Sequence, residues 1–91
     1  MTKTIDYSKA FDKQLKKAPI FIKVAFRKRL ELFLKEPSHK SLRYHQLKGT
    51  LKMYHSINVT GDWRALFLIR TEENKETLVF EMLGTHSQLY R

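Results

Sequence analysis

Leu51-Lys52-Met53-Tyr54-His55-Ser56-Ile57-Asn58-Val59-Thr60 and Trp63-Arg64-Ala65-Leu66-Phe67-Leu68-Ile69-Arg70 decide the fold, because both runs repeat with a period of two. Leu51, Met53, His55, Ile57 and Val59 share one side of the first run, and Trp63, Ala65, Phe67 and Ile69 share one side of the second. Leu78, Phe80 and Met82 repeat the pattern after a polar turn from Thr71 to Thr77. Three such runs with short links predict an antiparallel meander. The link Thr60-Gly61-Asp62 sets its register. A two-residue turn would pair Ile57 with Arg64, apolar against charged, whereas a three-residue loop pairs Val59 with Trp63 and Ile57 with Ala65. The longer loop also sets Asn58 beside Arg64 on the opposite face, and it suits a left-handed glycine at Gly61. One face of the sheet, with Met53, Ile57, Ala65, Phe67 and Phe80, is expected to meet the core. The other, with Lys52, Tyr54, Ser56, Asn58, Arg64 and Glu81, is expected to be polar and cationic, with Glu81 within reach of Arg64.

Upstream the period changes. Thr4-Ile5-Asp6-Tyr7 alternates and reads as a short strand, and Ser8 is an N-cap for a helix carrying Phe11, Leu15 and Ala18 on one side. Pro19 suits the first turn of a second helix, whose stripe is Ile22, Phe26, Leu30 and Phe33, and Pro37 stops it. Lys13, Lys16, Lys17, Lys23 and Lys28 lie off the stripes as a solvated face, or as a grip on phosphates. Ser38 to Lys48 reads as a polar, basic connection anchored by Leu42 and Leu47. The fold class is therefore α+β in the order β-α-α-β-β-β: a helical hairpin on one face of a four-stranded, mainly antiparallel sheet.

The 91 residues suffice for one domain, 1–91. Eighteen Lys and Arg against nine Asp and Glu give a net charge of +9 and a pI near 10.0, a surface that attracts polyanions. Cysteine is absent, which fits a reducing cytoplasm and leaves no thiolate zinc site. No apolar run approaches the roughly 20 residues of a membrane helix, and the first residues lack the apolar core of a signal peptide. Glycine-rich phosphate loops, His-Glu-x-x-His and helical histidine spacing are missing, so no metal or cofactor is expected.

Proton chemistry is expected at the end of the chain. Leu78-Val79-Phe80-Glu81-Met82-Leu83 leads into Gly84, whose tolerance of positive φ permits a sharp change of direction. His86 would then be held at the sheet rim beside Tyr90 and Arg91, with a side chain that exchanges protons near neutral pH. In so basic a chain this suggests proton transfer on a phosphodiester. Trp63 is most simply a core anchor, His39 a loop residue and His55 a half-buried structural histidine.

Gly84-Thr85-His86-Ser87-Gln88-Leu89-Tyr90 resembles the C-terminal Gly-Thr-His-x-x-Leu-Phe/Tyr segment of RelE/ParE-superfamily toxins, especially the YafQ-like mRNA interferases. His45-Gln46-Leu47-Lys48-Gly49 looks like their His-x-Leu-x-Gly element and Asp62-Trp63-Arg64 like their strand start, so the resemblance spans essentially the whole chain. It implies the RelE-like microbial RNase fold. It also implies a cytoplasmic toxin of a type II toxin–antitoxin system, which cuts mRNA in the ribosomal A site without metal. The expected partners are a cognate antitoxin with an acidic, apolar segment, and operator DNA through that antitoxin alone. By match, His86 is the general acid, His45 and Asp62 take acid–base or orienting roles, and Tyr90 lies near the scissile nucleotide. Asn58 stands where the pattern has a histidine, so the base falls first to His45 and second to Asp62. Arg64 is expected to stabilise the phosphorane, with RNA contacts from Tyr90, Asn58, Lys48, Lys52, Arg91, Lys16 and Lys17. Two other readings stay open: a ParE-like inhibitor of DNA gyrase, and a non-catalytic relative that binds antitoxin.

Overall fold

Ser8 ends the first strand and starts the first helix in the computed structural model, which describes residues 2–90. Its hydroxyl accepts the Phe11 N–H at 3.0 Å and donates to the Glu81 carbonyl at 3.2 Å, so one group caps the helix and ties it to the sheet. The elements are β1 (Thr2–Tyr7), α1 (Lys9–Lys17), α2 (Ile20–Lys35), β2 (His45–Gln46), β3 (His55–Asn58), β4 (Trp63–Glu72), β5 (Lys75–Thr85) and α3 (His86–Leu89). Short 3-10 turns lie at Lys40–Leu42 and Gly49–Leu51. Pro19 caps α2 and Glu36, just before Pro37, ends it.

The strands follow the order β1-β5-β4-β3-β2, with β1 parallel to β5 and every other pair antiparallel. The hairpin register is the one the three-residue loop requires. Ile57 pairs with Ala65 and Asn58 with Arg64, and the Val59 N–H donates to the Trp63 carbonyl at 2.8 Å. Phe11 of α1, Phe26 of α2 and Phe80 of β5 meet with ring centroids 5.2–5.5 Å apart, and Phe67 of β4 lies 5.1 Å from Phe80. Burying four such rings removes the largest apolar groups from water at once, and this joins the hairpin to the sheet. Ile22, Leu42, Ile57 and Ala65 complete the core.

Six expectations are corrected. The sheet has five strands rather than four, because His45 and Gln46 pair with Ser56 and His55; two residues are too few to show periodicity. The strand expected from Leu51 begins at His55, because Gly49 at φ +67° opens a tight turn that the Tyr54 N–H closes on the Leu51 carbonyl at 2.9 Å. Met53 therefore leaves the core face and is 60% exposed. Gly61 does not adopt positive φ: Thr60 closes that loop, its hydroxyl accepting the Trp63 N–H at 3.1 Å. The polar turn shrinks to Glu73 and Asn74, with Glu73 at φ +52°, and its flanks join the ladder. Finally, a bulge shifts the β4–β5 register. Leu66 pairs with Met82 but Phe67 with Phe80, so Leu83 replaces Met82 on the core face and Gly84 pairs with Arg64 on the other.

Candidate active site

The bulge decides what the far face presents. Gly84 is fully inside the sheet and takes no positive φ, against the expectation of a conformational hinge. Its lack of a side chain serves close packing instead: a Cβ there would lie 2.9 Å from Gln88 Oε1 and 3.4 Å from Leu89 Cδ2. The chain folds back directly over it as α3. Thr85 caps this turn, its hydroxyl accepting the Gln88 N–H at 3.3 Å while Gln88 Oε1 accepts the Thr85 N–H at 2.8 Å. The His86 N–H donates to the Asp62 carbonyl at 3.0 Å, which ties the turn to the β3–β4 loop. The imidazole is exposed, and its ring lies 4.6 Å from that of Tyr90.

Opposite stands the edge strand. His45 Nδ1 is 2.7 Å from the Arg43 carbonyl, which can only accept, so Nδ1 carries hydrogen and Nε2 is left as the acceptor nitrogen of the neutral ring. His45 and His86 line one open cavity of about 540 Å³ together with Arg43, Leu47, Asn58, Arg64 and Tyr90. Asn58 is 8% exposed and Ser56 is fully buried, so this face is more enclosed than its polar composition suggests. Arg64 donates to the Gly61 carbonyl at 2.8 Å. It has no carboxylate partner among the described residues, so the expected Arg64–Glu81 pair is absent there.

The remaining expected residues stand outside the cavity. Asp62 meets His86 through its backbone, and its carboxylate does not line the space. Lys48 and Lys52 flank the turn after β2, where the Lys52 carbonyl accepts from Gln46 Nε2 at 2.6 Å. Lys16 borders a groove between α1 and α2, and Lys17 a cavity behind α3 with Trp63 and Gln88. Arg91 lies outside the described residues. His55 is withdrawn on the core side, its ring 5.5 Å from Phe67 and 5.7 Å from Tyr44, and burial lowers its pKa. His39 is spent on the 3-10 turn, its Nδ1 accepting the Ser41 N–H at 3.2 Å. Sequence reasoning passed over Arg43, one basic residue in a loop; a strand partner for His45 two positions on was the only signal, and a two-residue strand hides it. No group of three or more His, Asp or Glu among the described residues is placed to hold a metal ion.

A helical hairpin on a mixed sheet thus carries a basic, histidine-bearing cavity at the end of the last strand. No family model and no curated sequence matches the chain. Solved structures do. A metal-bound toxin from Helicobacter pylori is 32% identical over 96% of this chain and 98% of its own, with a TM-score of 0.69. YafQ from E. coli strain BL21(DE3) is 24% identical over 99% of this chain and all of its own, with a TM-score of 0.76. The E. coli DinJ–YafQ toxin–antitoxin complex matches at 23% identity over the whole of both chains, with a TM-score of 0.72. The chain belongs to the same toxin family as the Helicobacter pylori protein, and it shares the fold of YafQ.

Proposed function

We propose that this toxin is an endoribonuclease that cuts messenger RNA on the ribosome, in the cytoplasm, using the ribose 2′-hydroxyl as nucleophile. One observation carries the reading: His45 and His86 open onto the same cavity as Arg64, with the His45 tautomer set by the Arg43 carbonyl. Neutral His45 takes the 2′-hydroxyl proton at Nε2 as O2′ bonds to phosphorus. Protonated His86 gives a proton to O5′ as the P–O5′ bond breaks. The products are a 2′,3′-cyclic phosphate and a 5′-hydroxyl. Arg64 faces the charge that builds on the phosphorane, where a fixed cation lowers the barrier. Tyr90 offers its ring to a base and Asn58 its amide to the strand. RNA supplies the nucleophile, so no serine or cysteine is needed.

The toxin is paired with a cognate antitoxin, through which alone it meets operator DNA. Ile20, Phe21 and Val24 of α2 are 77%, 62% and 49% exposed beside Lys23, Arg27 and Lys28. An acidic segment with apolar side chains matches that surface in both charge and hydropathy.

The test maps cut ends on translated transcripts. His86→Ala is expected to lower cleavage by about 10²–10⁴-fold and to abolish growth arrest with the fold retained. Parental cleavage by the folded variant removes His86 from the mechanism. Intact message alongside inhibited gyrase supercoiling replaces the reading with gyrase poisoning, and no toxicity at all leaves an antitoxin-binding relative.

A further inference from the structure

We propose that Arg43 is a second phosphate-holding residue of the cavity, gripping the RNA phosphodiester opposite Arg64; this rests on the nuclease reading of that cavity. Arg43 follows the 3-10 turn Lys40–Leu42 and is held at φ +45°, ψ +42°. Side chains with a Cβ rarely adopt that left-handed conformation, and glycine would do so at lower steric cost. The backbone job done there, offering a carbonyl to His45 Nδ1 at 2.7 Å, needs no side chain. What arginine adds is its guanidinium, carried by a residue that lines the cavity.

Two arginines, Arg43 and Arg64, thus line one space. The ion pairs among the described residues, Lys3–Glu76 and Arg70–Glu72, involve neither. Like charges that converge without a counter-ion raise the local positive potential and attract an anion. The planar forks match the oxygens of a phosphodiester, which presents two of them to two donors. Arg64 comes from the inner strand β4 and Arg43 from the loop before the edge strand β2, so the pair clasps the strand from two sides. A left-handed backbone at an arginine that lines the site fits a residue held in place for function.

Arg43→Gly separates the two roles, since it keeps the carbonyl, relieves the left-handed strain and removes the guanidinium. The probe is a short, labelled single-stranded RNA carrying 2′-O-methyl groups, which lacks the nucleophile and stays intact. Binding is followed by anisotropy across a series of KCl concentrations. Arg43→Gly is expected to weaken binding roughly ten- to hundredfold. The slope of log K against log salt is expected to fall by about 0.7, the value for one phosphate contact on a single strand. Arg43→Lys keeps the slope and loses part of the affinity, because it preserves charge without the fork. The melting temperature of Arg43→Gly stays at or above that of the parent. Wild-type slope and affinity in Arg43→Gly overturn the proposal. A lowered slope in a toxin whose parent cuts no message on ribosomes sinks the nuclease reading while upholding the phosphate grip. Failure of the parent to bind the RNA overturns both.

Discussion

Gly84 shows how a residue is read correctly in kind and wrongly in cause. The position does need glycine, but for space under Gln88 and Leu89 rather than for a left-handed turn. Gly84→Ala should push on Gln88 Oε1, the far end of a flexible side chain, and break its bond to the Thr85 N–H. The expected cost is about 1 kcal/mol, that of a lost cap, read from urea unfolding. In a Gln88→Ala background the same change should cost much less; an undiminished cost would mean the clash lies elsewhere. His86 could be singled out as a proton carrier at a strand end, and His45 only through the resemblance of His45-Gln46-Leu47-Lys48-Gly49 to a family element. Arg43 was invisible, since one cation among many carries no periodic signal.

At the scale of elements, the bulge between β4 and β5 is decisive. It moves Leu83 into the core and turns Gly84 to the same face as Arg64, and His86 and Tyr90 just beyond it line the cavity with Arg64. Nothing in the alternation of 78–83 announces a bulge, because Met82 and Leu83 are both apolar. The edge of the sheet yields a pH prediction. His55 is packed between Tyr44 and Phe67, and desolvation lowers its pKa from the usual 6.5. Below pH 6.5 the unfolded chain therefore takes up this proton before the folded one does. The His55 contribution to stability is complete above that pH and is lost as pH falls through the folded pKa. His55→Phe keeps the stacking and should flatten stability against pH in the acid window. Parallel pH curves for parent and variant would reject this account.

The whole molecule carries +9 with the ion pairs Lys3–Glu76 and Arg70–Glu72 at its surface, so self-repulsion opposes folding more than these exposed pairs favour it. Added KCl should raise the melting temperature, because screening weakens the repulsion. Each kcal/mol regained is worth roughly 4–8 °C in a chain of this size. A melting temperature that falls with salt would show the local pairs to matter more than the net charge. The same field that weakens the free fold speeds capture of a polyanion or an acidic partner. The sequence by itself determined the α+β class, the helical hairpin and the hairpin register, because periodicity, capping and loop length are local properties. Only the tertiary structure decided that His45 and His86, 41 positions apart, open onto one cavity with Arg43 and Arg64. That meeting depends on a bulge and a two-residue edge strand, which arise from long-range pairing of backbone groups and leave no repeat along the chain.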